Sequence, residues 1–353
     1  MKIAFYAPMK PPDHPVPSGD RTMARSLLRA LSYGDMAAEV VSDLQTREPR
    51  GDTAEQARLR AAAADEVARL SAVGGWALWL TYHSYYKAPD LVGPCVAAKL
   101  GIPYVQVEAT RAQKRLQGPW AGFAQSAEAA SDAAATIFAL TLRDAEALRA
   151  YAPTGQRIEI LAPFLQREDL PPLGTRTGSM LSVGMLRHAD KLASYRLIAE
   201  TLAQLTTPDW RLEIAGDGPA RADVAALMAP FGDRVRLRGA LTADELAQAY
   251  ASASLLVWPG VNEAFGMSYL EAQAAGVPVV AQDRPGVRDV LAPAARPPVE
   301  AGTAALAVQI DMLLQNETTR QRMGDEARAY VAKRHLLGTA SDTLCRTLRQ
   351  VAA

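Results

Sequence analysis

Two glutamates, Glu263 and Glu271, stand eight positions apart in the stretch NEAFGMSYLEAQAAGVPVVA, residues 262–281. Between them Gly266 can turn tightly or approach a ligand closely because it has no Cβ. The spacing predicts a helix over MSYLEAQAA, closed by Gly276 and by Pro278 just beyond it. The first turn of such a helix presents unpaired backbone N–H groups around Gly266, Met267 and Ser268, which suit an anion. Glu263 sits beside that site in the loop, and Glu271 lies one turn below Met267. A carboxylate near an anion is unfavourable unless it accepts hydrogen bonds from neutral hydroxyls. A ligand that carries phosphates between two polyols, such as a nucleotide sugar, supplies both groups. Spacing alone favours the plainer reading: Glu263 as an ordinary loop residue, Glu271 as a first-turn acid favoured by the helix dipole.

The elements that would position these residues alternate along the chain. KIAFYAP, AAEVVS, WALWLTYH, IPYVQVEA, AATIFALT and IEILAP read as short strands, most of them separated by stretches with helical spacing such as RTMARSLLRAL and residues 54–72. A polar, Pro/Gly-rich segment follows at residues 166–179 and reads as a linker. The alternation then restarts with MLSVGML, WRLEIAGDGP, RVRLRGAL, ASLLVWPG and VPVVAQD. Strand and helix in turn imply parallel sheets covered by helices on both faces. The expected fold class is therefore α/β, with two doubly wound, Rossmann-like domains facing a central cleft. The expected domains are residues 1–168, residues 169–335 and a terminal helix, 336–353, returning to the first. In such sheets ligands sit at the carboxyl ends of the strands. His83 ends WALWLTYH and Glu108 ends IPYVQVEA, so both are candidates to point into a site.

The segment EAFGMSYLEAQAAGVPVVA resembles the nucleotide-binding signature of retaining glycosyltransferases of family 4, which have the GT-B fold. Their pattern is E-x-F-G followed by an E-A-x-A-x-G-x-P-V-V run. The resemblance is close over residues 179–291 and looser over most of the chain. It implies transfer of a sugar from a nucleotide-diphosphate donor to an acceptor hydroxyl with retention, in glycan, glycolipid or glycoconjugate synthesis. It also implies site residues. Glu263 would hold the sugar, with Ala264, Phe265, Gly266, Met267 and Ser268 at the sugar and diphosphate, and Glu271 would hold the ribose. Arg187 and Lys191, in SVGMLRHADKLASYRLIAETL, would neutralise the departing diphosphate, although the family's Arg directly follows the glycine, where Met185 stands here. Gly216, in the turn of LEIAGDGPAR, would approach the nucleotide, and backbone at Gly239 and Ala240 would meet the base. Ser18 and Gly19, ahead of the first helix, would face the donor phosphate from the N-terminal domain. Many relatives carry a catalytic His near the position of Glu108; an acid there would orient the acceptor hydroxyl, with His83 beside it. Lys114 and Arg115 would suit an anionic acceptor or form a solvated basic face.

Composition narrows the alternatives. The chain has 353 residues, 49% apolar and 22% charged, the balance of a globular enzyme long enough for two domains. Lys plus Arg and Asp plus Glu are 38 each, so no global field favours nucleic acid. Two cysteines, Cys95 and Cys345, lie in apolar helical patterns and read as buried thiols of a reducing compartment. No D-x-D pair and no cluster among the four histidines offers a metal site, so a metal-independent reaction with no cofactor besides the donor is expected. The N-terminal apolar run is short for a signal peptide. A cytoplasmic protein is expected, with peripheral contact at the inner membrane face compatible. The acceptor, whether saccharide, lipid-linked or small molecule, is unreadable. A GT-B epimerase, a sugar-phosphate synthase or a non-catalytic nucleotide-sugar-binding protein would share the donor residues.

Overall fold

The structure, a computed structural model, describes residues 1–16 and 18–353. The chain divides into two compact units, one made of Met1–Ala162 with Leu337–Ala353, the other of Pro163–Leu336. The division after Ala162 falls six residues before the expected boundary at 168. The Pro-rich segment that reads as a linker belongs to the second unit.

Unit 1 holds strands β1 (Lys2–Tyr6), β2 (Ala37–Ser42), β3 (Leu78–Ser84), β4 (Tyr104–Ala109), β5 (Thr136–Ala139) and β6 (Arg157–Ile160). Its helices are α1 (Gly19–Tyr33), α2 (Thr53–Val73), α3 (Gly93–Leu100), α4 (Ala121–Ala133) and α5 (Leu142–Arg149). The strands are parallel in the order β2-β1-β3-β4-β5-β6. Burial of β5 and of β1 beyond Lys2 explains why both read as nearly continuous apolar runs. Trp79 and Phe138 are among the largest side chains removed from water.

Unit 2 holds β7 (Met180–Val183), β8 (Leu212–Ala215), β9 (Val235–Gly239), β10 (Leu256–Val257) and β11 (Val279–Val280). Its helices are α6 (Asp190–Leu202), α7 (Arg221–Met228), α8 (Ala243–Ser252), α9 (Met267–Ala274), α10 (Val287–Val290), α11 (Gly302–Gln315) and α12 (Glu317–Arg334). The sheet is again parallel, in the order β11-β10-β7-β8-β9. Trp258, Tyr195 and Tyr269 anchor its core.

The last helix, α13 (Leu337–Ala352), packs on α1 of unit 1. Leu337, Leu344, Cys345 and Leu348 are buried along one stripe, and Ser341 Oγ donates to the Ala30 carbonyl at 2.7 Å. Cys345 is thus a buried thiol, but Cys95 is exposed: in the short helix α3 the buried face runs through Gly93, Val96 and Ala97 instead. Among the described residues no helix is long and apolar enough to cross a membrane.

Candidate functional site

Strand order reverses in each sheet at one place, between β1 and β3 in unit 1 and between β7 and β10 in unit 2. Such switch points leave a crevice at the carboxyl ends of the strands where ligands bind. At the unit 2 switch point stand Lys191, after β7, and Glu263, after β10; at that of unit 1 stand Asp20, after β1, and His83, at the end of β3.

In unit 2 the loop after β10 runs from Trp258 to Gly266, and α9 follows at Met267. Gly266 has φ +68°, and a Cβ there would lie 2.7 Å from the Tyr269 ring, so the turn needs glycine. Gly266 offers no side-chain cap, and while the Tyr269 N–H donates to the Gly266 carbonyl at 3.1 Å, the N–H groups of Met267 and Ser268 remain available for a ligand. The Tyr269 hydroxyl pins the loop by donating to the Trp258 carbonyl at 3.0 Å. Ala264 is exposed; Phe265, Met267 and Ser268 are half-buried beside it.

Glu263 does not stand alone. Its Oε1 accepts from the ammonium of Lys191, in the first turn of α6, and from Trp258 Nε1 at 2.8 Å. The Lys191 ammonium also lies 5.1 Å from the Trp258 ring centre, a cation–π contact. The charge of Glu263 reaches its surroundings: burial first, and then that charge, pushes the Tyr195 hydroxyl up. Two further bonds tie the loop to α6, Val261 N–H to Ser194 Oγ at 3.2 Å and Asn262 Nδ2 to Asp190 Oδ2 at 2.8 Å. Glu271, half-buried on α9, accepts from the Tyr250 hydroxyl of α8 at 2.8 Å. Burial pushes its carboxyl up, and the Tyr250 bond offsets part of that rise.

The other expected donor residues divide. Gly216 and Gly239 come together, the N–H of Gly216 donating to the Gly239 carbonyl at 2.8 Å, with Ala240 next in chain. A Cβ on Gly216 would sit 1.9 Å from the Gly184 carbonyl, so three strand ends approach as bare backbone. Arg187 is exposed in the loop before α6, with no side-chain partner recorded among the described residues. Lys191 rather than Arg187 is the cation joined to the signature.

Unit 1 has its own polar cluster. His83 and Glu108, at the ends of neighbouring strands β3 and β4, both take left-handed backbone conformations, φ +57° and +59°. Such angles in non-glycine residues cost about 1–2 kcal/mol each and mark positions that the surroundings hold for a purpose. Asp20, in the first turn of α1, meets His83: Oδ1 is 2.9 Å from Nδ1, and Glu108 Oε1 is 4.0 Å from the same nitrogen. Burial opposes a charged imidazole, yet the carboxylates of Glu108 and Asp20 outweigh it and hold His83 above its ordinary value. Burial likewise opposes the Asp20 carboxylate, but the His83 bond brings it below its ordinary value. Burial pushes the Glu108 carboxyl up, with His83 offsetting part. Glu108 Oε2 is buried without a hydrogen-bond partner. Ser18 caps α1, its hydroxyl accepting from the Arg21 N–H at 3.3 Å, and the space beside Gly19 is open.

Asp20, Trp258 and Tyr250 escaped the sequence reading. The signal for Asp20 was present, an acid directly after Gly19 at a helix start; Trp258 and Tyr250 carried none, since ordinary core aromatics look the same.

Residues 175–330 match the family model described as glycosyl transferases group 1. That stretch contains Arg187, Lys191, Gly216, Gly239, Glu263 and Glu271. The chain is similar to the alpha-D-kanosaminyltransferase of Streptomyces kanamyceticus, 31% identical over 180 residues that cover 49% of this chain and 45% of that protein. It is also similar to the 2-deoxystreptamine glucosyltransferase of Streptomyces kanamyceticus, 30% identical over 232 residues, 57% of this chain and 58% of that one. The chain thus spans about half the length of these curated relatives. Among solved structures, Anabaena Alr3699/HepE in complex with UDP superposes with a TM-score of 0.75 at 16% identity, covering 99% of this chain and 100% of that one. The expected α/β class, two doubly wound parallel-sheet units of the GT-B type, is the one found.

Proposed function

We propose that this chain transfers a glycosyl group from a nucleotide-diphosphate sugar to an acceptor hydroxyl, with retention of configuration and without a metal or further cofactor. The observation that carries this reading is the Lys191–Glu263 pair beside the uncapped start of α9, at the switch point of the unit 2 sheet. Paired with Lys191, Glu263 no longer repels a diphosphate, and its remaining lone pairs can take sugar hydroxyls. The Lys191 ammonium and the first N–H groups of α9 are donors for the charge that develops on the leaving diphosphate. Glu271, whose carboxyl already accepts the Tyr250 hydroxyl, keeps lone pairs that can accept the ribose diol. In unit 1 the Glu108 carboxyl, at the carboxyl end of β4, orients the attacking hydroxyl, and Asp20 holds the His83 ring beside it. The resemblance of the Glu263–Glu271 signature to retaining enzymes supports retention; in same-face attack the departing phosphate takes the proton, so no protein base need stand opposite.

The test is donor binding and transfer by wild type and Glu271→Ala. A nucleotide sugar at 100 times its dissociation constant should stabilise the wild type by ~2.7 kcal/mol. Glu271→Ala should keep the fold and lose about tenfold or more in donor affinity, the value of a charge-assisted bond. Chelator-treated wild type should still turn over, and the product should keep the donor's anomeric configuration. Unchanged donor affinity in the variant overturns the assignment.

A further inference from the structure

A ladder of rings runs away from the His83 cluster along the carboxyl rim of the unit 1 sheet. The His83 ring is 5.3 Å from Tyr85, Tyr85 is 5.5 Å from Tyr86, and Tyr86 is 5.8 Å from Trp120. Two cations cover the far end. The Lys87 ammonium lies 5.6 Å from the Tyr86 ring and 5.2 Å from Trp120; the Arg115 guanidinium lies 5.1 and 5.4 Å from the same two rings. Arg47 reaches the Tyr85 hydroxyl and opposes the rise that burial gives it. Lys114 is exposed next to Arg115.

The face is built rather than loose. Trp120 Nε1 donates to the Glu48 carbonyl at 3.1 Å, and the Glu48 N–H donates to the Lys87 carbonyl at 2.8 Å. Gln56 Nε2 fixes the Pro119 carbonyl at 2.9 Å. The acids close to these loops are already spent. The buried Glu48 carboxylate accepts the N–H groups of Arg50 and Gly51 at 2.7 and 2.6 Å. Glu128 takes Arg111, the Ala112 N–H and Gln113, and Asp132 takes Arg111. Among the described residues no carboxylate is recorded in an ion pair with Arg47, Lys87, Lys114 or Arg115. Two cations held over rigid ring faces, with Arg47 at the adjoining Tyr85 and no recorded ion-pair partner, call for an anion, and a guanidinium beside an ammonium suits the oxygens of a phosphate.

We propose that this basic aromatic face seats a phosphate group carried by the acceptor, one ring away from the cluster that takes its reacting hydroxyl. The proposal rests on the reading of unit 1 as the acceptor unit. It narrows the acceptor to a hydroxylated molecule or headgroup bearing a phosphate. The rings provide flat apolar surface for the carbon skeleton, and Lys87 and Arg115 with Arg47 and Lys114 neutralise the phosphate.

The test uses the full chain. Binding of glucose 1-phosphate, glucose 6-phosphate and glycerol 3-phosphate is compared with glucose and glycerol at fixed ionic strength. A second arm measures partitioning onto phosphatidylcholine vesicles with and without phosphatidylglycerol. At least one phosphate compound, or the anionic vesicles, should bind about tenfold more tightly than its neutral counterpart. A Lys87→Gln, Arg115→Gln double variant should lose that preference while its nucleotide-sugar thermal shift stays as in wild type. Soluble binding identifies a small phosphorylated acceptor, and vesicle binding alone a lipid headgroup. Equal affinity for charged and neutral probes, or an unchanged preference in the double variant, overturns the proposal. A chain that binds phosphate probes but no nucleotide sugar would instead overturn the donor reading.

Discussion

At the scale of single residues, each unit gives its candidate carboxylates a partner close by. Lys191 balances Glu263, the Tyr250 hydroxyl serves Glu271, and His83 stands against Asp20 and Glu108. The last group predicts a pH dependence. His83 is raised above its ordinary value of 6.5, so the stability it contributes is complete below that pH and is lost as pH rises through its folded value. Asp20 is lowered from 3.8, so its contribution is present above that pH and lost on acidification. His83→Gln should therefore flatten the fall in stability above pH ~6.5, measured by urea unfolding across pH; a variant that keeps the wild-type slope refutes the coupling. The two glutamates were legible in the sequence because a local motif holds them, glycine and helix start together. Their partners were not. Lys191 meets Glu263 across 72 residues, and Asp20 meets His83 across 63. Such pairings are made by strand order, which local spacing does not encode. The same gap explains Cys95, whose apolar neighbourhood in sequence says nothing of which helix face the sheet covers.

Among the elements, helices and their ends were the readable part. Residues 54–72 gave the long helix that spans Thr53–Val73, and the Gly276–Pro278 punctuation placed the end of α9 within two residues. Strands β10 and β11 shrink to two residues each because the rest of their apolar runs is buried loop. These loops form the site, and their paths depend on backbone approaching backbone. Gly216 is the sharpest case, at φ +148° with the Gly184 carbonyl where a methyl would go. Gly216→Ala should cost ~3 kcal/mol or more, since neither backbone can yield without moving β7 or β8. A lower urea midpoint with an unchanged slope would bear this out, and a midpoint within error of wild type would not.

For the whole molecule the informative feature is that unit 1 is sewn from two stretches. Its sheet lies in Met1–Ala162, yet the stripe on α1 is covered by α13, from beyond unit 2. Leu344, fully buried there, can be tested directly. Leu344→Ala should remove ~2–5 kcal/mol from the stability of unit 1 while leaving the donor binding proposed for unit 2 as in wild type. Loss of donor binding in that variant would show that unit 2 depends on the helix. The arrangement also sets an order of events during synthesis. Unit 2 is continuous and can close as soon as its last strand and helices leave the ribosome. Unit 1 starts earlier but waits, its α1 stripe uncovered, until α13 arrives from Leu337 onward, after the whole of Pro163–Leu336. In the interval a nascent chain would show chaperones one open apolar seam, and premature release before α13 would leave that seam permanently unsealed.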